Sequence, residues 1–259
     1  MQILNEKQIK YGCFYFHRDE PRQKAVVEVS QYDGESSLEI NCTQLGDSFT
    51  PQYKTPKEKK RVLQEWCQFL SDNTTAFTEL SFNTRMPQEL FDAVCGQKNL
   101  KRLQIKWGAF TDISKLAELS ELEYLYIGSG TGVQSIDPIA TLEKLVALHA
   151  ENFQRIEDYG PFAKLKRLEA LTIEGNGLSP QYIHTDSLDF LIEMKQLRFF
   201  HFMTARLRSK DITPVLYLEE LENLSLMKSK EVIELYDELI RLPKLKYGLL
   251  LEKPELYKQ

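Results

Sequence analysis

From residue 77 onward the apolar positions fall into one recurring hexamer, apolar-x-x-apolar-x-apolar. It reads Phe77-Thr-Glu-Leu80-Ser-Phe82, Leu100-Lys-Arg-Leu103-Gln-Ile105, Leu122-Glu-Tyr-Leu125-Tyr-Ile127 and Leu145-Val-Ala-Leu148-His-Ala150. It continues as Leu168-Glu-Ala-Leu171-Thr-Ile173, Leu197-Arg-Phe-Phe200-His-Phe202, Leu221-Glu-Asn-Leu224-Ser-Leu226 and, more weakly, Leu245-Lys-Tyr-Gly248-Leu-Leu250. Successive starts lie 23, 22, 23, 23, 29, 24 and 24 residues apart. Period 2 around the second apolar residue predicts a short strand in each hexamer. Between hexamers the spacing turns helical, as in Ile113-Ser-Lys-Leu116-Ala-Glu-Leu119, Ile136-Asp-Pro-Ile139-Ala-Thr-Leu142 and Ile212-Thr-Pro-Val215-Leu-Tyr-Leu218. Pro138, Pro161 and Pro214 stand early in these segments, where a first helical turn tolerates proline. So few residues leave room only for a 3₁₀ turn or a short helix. One strand–turn–return unit cannot cover its own apolar side, so units must stack into a solenoid.

Residues 1–55 follow another pattern. Tyr11–Phe16, Ala25–Ser30 and Leu38–Cys42 are apolar-rich strand candidates, split by Arg18-Asp-Glu-Pro21 and Tyr32-Asp-Gly34 turns. They predict a small antiparallel β-meander. Thr55-Pro56-Lys57-Glu58 then has an N-cap, a proline at the first helical position and an acid at the third. The helix it opens gathers Val62, Leu63, Trp66, Phe69 and Leu70 on one face. The expected division is residues 1–76 as meander plus capping helix, and 77–259 as about eight repeats with a short tail. The alternative for the N-terminal region is a separate ligand-binding or catalytic unit with the repeats as its recognition arm.

The stretches Phe110–Ile127 and Ile156–Asn176 carry the repeat most fully. Over about residues 77–251 the chain resembles leucine-rich-repeat proteins, and within them the short-repeat type of bacterial internalins. That resemblance implies an α/β solenoid: a curved parallel sheet on the concave side, short helices or 3₁₀ turns on the convex side, and protein binding as its main use. Its usual asparagine three residues after the hexamer is matched here only by Asn176; Arg85, Gly108, Gly130, Phe153, Ala205, Ser229 and Lys253 stand at the equivalent places. Those turns must satisfy their backbone groups by other means.

Leucine is concentrated accordingly, with 7 among the first 99 residues and 30 among the remaining 160. Lys+Arg 33 against Asp+Glu 38 gives a formal charge of −5, a poor footprint for nucleic-acid binding. No apolar run approaches the ~20 residues of a membrane span, and the polar start lacks a signal-peptide stretch, so a cytoplasmic protein is expected. Cys13, Cys42, Cys67 and Cys95 show no metal spacing and are expected to be reduced.

Alternation on the strands sends the third, fifth and seventh hexamer positions to the concave face. Those positions include Tyr124, Tyr126, Phe199, Tyr247 and Met203, with Trp107 at the edge. Such residues are enriched at protein interfaces, although strands also favour aromatics that pack on one another. The candidate partner-binding set is Tyr124, Tyr126, Phe199 and Tyr247 as anchors, with Trp107, Met203, His149, His201, Arg102, Glu151 and Glu174 beside them. The longer fifth repeat, through residues 175–187, is either a loop flanking that face or a neutral insertion. His149 and His201 lie two strands apart, roughly 10 Å, too far to share a metal unaided. No nucleophile–base–orienter set emerges, so neither enzyme activity nor a metal or cofactor is expected. The partner expected is a protein, bound by a monomeric scaffold of inhibitor or immunity type. An exposed C-terminal end offers self-association as an alternative.

Overall fold

The repeats stack as their spacing dictates. A computed structural model describes residues 2–14, 22–177 and 181–258 of the chain. Seven hexamers form strands: β3 (Glu79–Pro87), β4 (Arg102–Ala109), β5 (Tyr124–Ile127), β6 (Ala147–Glu151), β7 (Ala170–Glu174), β9 (Phe199–Met203) and β11 (Asn223–Leu226). Two further strands, β1 (Lys24–Val26) and β2 (Ser37–Ile40), complete one parallel sheet in the order β1-β2-β3-β4-β5-β6-β7-β9-β11. Leu80, Leu103, Leu125, Leu148, Leu171, Phe200 and Leu224 align across it. They are buried together with the apolar residues of the return segments, which makes one continuous core.

The returns are tight, as their length requires. Ser114–Glu118, Ile139–Thr141, Gly160–Lys164, Asp189–Glu193 and Thr213–Tyr217 are 3₁₀ turns, with Pro161 and Pro214 in their first turns. The outer repeats use α-helices instead: α2 (Pro56–Asp72), α3 (Gln88–Val94), α4 (Lys230–Glu234) and α5 (Tyr236–Leu239). Helix α2 starts at a capping box in which Thr55 accepts from the Glu58 N–H. It buries Val62, Trp66 and Leu70, and the Trp66 indole N–H donates to the Val27 carbonyl at 2.8 Å.

The N-terminal strands are not an antiparallel meander. Both β1–β2 and β2–β3 pair in parallel, with Lys24 opposite Leu38 and Leu38 opposite Leu80. Between β1 and β2 the chain crosses the core edge through a 3₁₀ turn at Val29–Gln31, and Tyr32 packs 5.2 Å from Phe69 and 5.4 Å from Phe77. It therefore re-enters from the side it left, and a parallel strand follows. Of the expected Tyr11–Phe16 strand, Tyr11 instead ends a helix, α1 (Glu6–Tyr11). Residues 15–21, with the Arg18–Pro21 turn, lie outside the described residues.

The missing asparagine ladder is replaced by backbone bonds that run past the strand ends. Gly130 N–H donates to Glu151 O (2.9 Å), Asn152 N–H to Glu174 O (2.6 Å) and Gly175 N–H to Met203 O (3.1 Å). Ser129, Asn152 and Thr204 take left-handed φ of 54°, 60° and 48° to make these turns. Phe153 fills the space that the asparagine leaves; a Cβ on Gly130 would lie 2.2 Å from its ring.

Two further differences lie at the C-terminal side. The insertion supplies β8 (Ile183–Thr185), which pairs in parallel with β10 (Ala205–Leu207) as a second, two-stranded sheet. Residues 178–180 of it are outside the described residues. The eighth hexamer makes a single bridge, Asn223 to Tyr247, and no strand. Gly248 has φ 107°, and a Cβ there would stand 2.1 Å from the Leu224 carbonyl oxygen. The backbone turns out of the sheet at that glycine and enters α6 (Leu249–Glu252). Tyr257, 1% exposed, donates its hydroxyl to the Leu226 carbonyl and stacks on Tyr236. The end expected to be thinly covered is thus closed by the chain's own tail.

Candidate functional site

Parallel register gathers the concave positions into rows. One row runs Arg102, Tyr124, Ala147, Ala170, Phe199 and Asn223; the next runs Gln104, Tyr126, His149, Thr172, His201 and Ser225. A third places Glu151 beside Glu174 and Glu174 beside Met203. All eleven candidate residues therefore belong to one side of one sheet or its edge.

That side is already occupied in part. Residues 2–14 cross it and bury Leu4 and Ile9 against Val146, Ala147, Ala170 and Phe199, in a cluster separate from the main core. Helix α1 is locally well specified. Asn5 and Gln8 form a reciprocal capping box, and Gly12 ends it with φ 88°. Leu4 and Ile9 stand at the positions of a hydrophobic staple. Burying each of these side chains is worth about 1.5–3 kcal/mol.

The more buried polar anchoring goes to the segment's backbone. The Ile3 and Leu4 N–H groups donate to the two Glu169 carboxylate oxygens at 2.7 and 3.0 Å. Arg198 donates to the Leu4 carbonyl (2.8 Å), Asn223 to those of Ile9 (2.8 Å) and Lys10 (3.2 Å), and Arg102 to that of Cys13 (3.1 Å). Glu169, Arg198 and Glu222 occupy the second position of adjacent hexamers and form a buried triad, Arg198 lying 2.9 Å from Glu169 and 2.7 Å from Glu222. Burial pushes the Glu222 carboxyl up, but hydrogen bonds from Lys246 and Arg198 together hold it below its ordinary range. Desolvating such charges offsets much of their attraction, so the triad serves geometry more than net stability.

Beside the segment lies a hollow of about 280 Å³, walled by Phe14, Tyr126, His149, Glu174, Phe199 and His201. His149 Nε2 is 2.7 Å from Glu174, and the Tyr126 hydroxyl donates to Glu151 at 2.8 Å. Burial lowers His201 to about 4, so it is neutral near pH 7, 3.1 Å from Asn223 Oδ1. Burial raises Glu151, and it pushes the Cys13 thiol at the hollow's rim up to about 12. A protonated thiol is a weak nucleophile, so these groups do not form an activated Cys–His pair. Among the described residues, no three His, Cys, Asp or Glu side chains come together to hold a metal ion, and no helix is long and apolar enough to cross a membrane.

The candidate residues divide by exposure. Phe199, expected to face solvent, is 4% exposed, because Gly12 and Ile9 lie over it. Tyr124 is half-buried with the Arg102 guanidinium 4.0 Å from its ring centre, and Tyr247 donates its hydroxyl to Glu6 at 2.7 Å. Tyr126, His149, Glu151, Glu174, His201 and Met203 are half-buried, and Trp107 is 46% exposed. The residues missed from sequence are Leu4, Ile9 and the Glu169–Arg198–Glu222 row. The signals were present: Asn5 with Gln8, the Leu4–Ile9 staple, and alternating charge at the second hexamer position.

Similarity to solved structures agrees with this geometry. The chain superposes on internalin C2 from Listeria monocytogenes with a TM-score of 0.51 at 18% identity, covering 71% of this chain and 74% of that one. It superposes on a leucine-rich-repeat protein from Leptospira interrogans with a TM-score of 0.51 at 15% identity, covering 88% of this chain and 65% of that one. No protein-family model matches the chain, and no curated protein matches it in sequence. The fold defined by the sheet and its returns is a leucine-rich-repeat solenoid. Within that class its repeats, 22 to 24 residues outside the one insertion, are of the short internalin-like type.

Proposed function

We propose that the chain is a non-enzymatic scaffold that binds a protein partner on the concave side of its sheet. One observation carries the reading: beyond the N-terminal segment the same side presents a strip with Trp107 exposed and Glu151, Glu174 and Met203 half-buried, an aromatic and acidic set held on strands of one sheet. Preorganised aromatic anchors are what protein interfaces use. Tyr124, Phe199 and Tyr247 lie beneath or beside the segment, with Arg102 over the Tyr124 ring, His201 stacked on Phe199 and His149 packed on Tyr126. An inhibitor or immunity-type role in a bacterial cytoplasm is the finer form of the proposal; four free cysteines fit a reducing compartment. We read residues 22–76 as the cap of the solenoid, since β1 and β2 pair in the same sheet as the repeats.

The test is co-purification from native lysate with identification by mass spectrometry, repeated with a Trp107→Ala/Met203→Ala variant. Truncating a hot-spot residue costs about 2 kcal/mol or more, so the same partner should be lost. Undiminished capture by a folded variant removes the open strip from the binding surface.

A further inference from the structure

Three features separate residues 2–14 from the rest of the fold. Their apolar side chains join a cluster on the opposite side of the sheet from the main core, which is continuous without them. Their helix has six residues, too few to persist alone in water, so its order depends on the surface beneath it. Their more buried polar contacts are made through backbone N–H and carbonyl groups, received by Glu169, Arg198, Asn223 and Arg102, while the Gln2 and Glu6 side chains bond Glu220 and Tyr247 at the exposed edge. Backbone groups are the same in every residue. A surface that grips them, with one apolar seat for an aliphatic pair, reads a shape rather than a particular sequence. Recognition of an amphipathic helix in a groove has this form.

We propose that the concave groove under residues 2–14 is a binding site for a short helical segment of a partner protein, and that the chain's own N-terminal segment holds it as a displaceable internal ligand. The partner segment matches the internal one in chemistry. It presents two aliphatic side chains five residues apart across a helix start, two free backbone N–H groups before the helix for Glu169, and an aromatic residue after it to pack on Tyr126 and His149 at the wall of the hollow. In the internal segment Leu4, Ile9 and Phe14 take those places, with Phe14 5.8 Å from Tyr126 and 6.1 Å from His149. Because the internal segment is tethered, its effective concentration is high, and a free competitor meets an occupied groove. The inference rests on the scaffold reading but is tested without the partner.

The probe is a fluorescein-labelled peptide of residues 2–14 carrying Cys13→Ser, read by fluorescence anisotropy against the full chain. A Leu4→Asp/Ile9→Asp variant of the full chain should vacate the groove without altering it. That variant is expected to bind the peptide saturably, at least about tenfold tighter than the wild-type chain does. A peptide bearing the same two aspartates should bind neither protein. Adding Glu169→Gln to the vacated variant should weaken binding at least about tenfold. A folded variant that binds no better than wild type overturns the proposal. Should the variant fail to fold, the segment is part of the obligatory structure and the proposal likewise falls.

Hydrogen exchange on the wild-type chain gives an independent reading. The Ile9 and Gly12 amides, bonded to Asn5 and Gln8, should exchange faster than the strand amides at Leu148 and Leu171, reporting release of the segment alone. Equal protection overturns release. A wild-type dimer that grows with concentration and is lost in the Leu4→Asp/Ile9→Asp variant would assign the groove to a second copy and overturn the partner assignment. Loss of capture with Trp107→Ala/Met203→Ala, at residues that do not touch the segment's place in the groove, reports on the open strip, so the two readings can fail separately.

Discussion

The two sides of the sheet are covered by different means. On the convex side each strand is covered by its own repeat, with an aliphatic residue at a fixed interval and a 3₁₀ turn or short helix closing each unit. On the concave side the cover comes from one segment more than 150 residues away in sequence from Glu169, held by a buried ion triad and a single aliphatic pair. The first arrangement is local, redundant and apolar; the second is remote, singular and polar. Loss of one unit's contact should therefore be felt as a cavity in the convex core, and as an uncompensated charge on the concave side.

Four measurements sharpen that contrast. Arg198→Met should have the largest effect, about 3–5 kcal/mol in urea unfolding, because the buried Glu169 carboxylate loses its cationic partner and Glu222 is left with Lys246. A loss below about 1 kcal/mol would show the triad to be solvated and would erase the distinction. On the convex side Leu125→Ala, at a fully buried site, should cost about 2–5 kcal/mol with no change in the exposure of residues 2–14 to limited proteolysis. Accelerated cleavage there would mean the two sides are coupled.

Third comes pH. His201 is buried neutral, its proton affinity lowered to about 4, next to Asn223, Glu174, His149 and Glu252. The unfolded chain binds the proton more readily, so between pH 6.5 and about 4 stability should fall as pH falls. The loss attributable to His201 is roughly 3 kcal/mol across that window. Thermal melts of His201→Gln should show a shallower slope; an unchanged slope would assign the acid sensitivity to other groups. The smallest effect is expected at Thr204, a β-branched residue at φ 48°. Thr204→Gly should relieve the left-handed strain and raise stability by about 0.5–1 kcal/mol, measured by the urea midpoint. A loss would show that its side chain contributes packing the turn needs.

Periodicity explains what was legible. Seven of the eight hexamers fold as strands because a repeated local pattern meets the same pattern next door, so local and global preferences agree. The exception, Leu245–Leu250, has glycine where the others carry leucine or phenylalanine, and its close approach to Leu224 is visible only in three dimensions. Of the N-terminal strand candidates, the starts of Leu38–Cys42 and Ala25–Ser30 fall on strands, while Val29 and Ser30 lie in a 3₁₀ turn and Tyr11 ends a helix; the strands' direction depended on a crossover that Val29 and Tyr32 fix by packing on α2 and Phe77. For the site, alternation placed the concave rows. It could not say that Phe199 lies under Ile9, because nothing in the repeat period refers to residues 2–14.

The fit of Phe153 against Gly130 bears on how such an array can change its length. The ring of one unit stands where its neighbour would carry a Cβ, so the two are keyed as lock to tooth. Copying or excising one of them alone would set an unmatched pair side by side. Growth or shrinkage here must move the keyed pair together, or fall at the insertion loop, where the segment builds a ladder of its own.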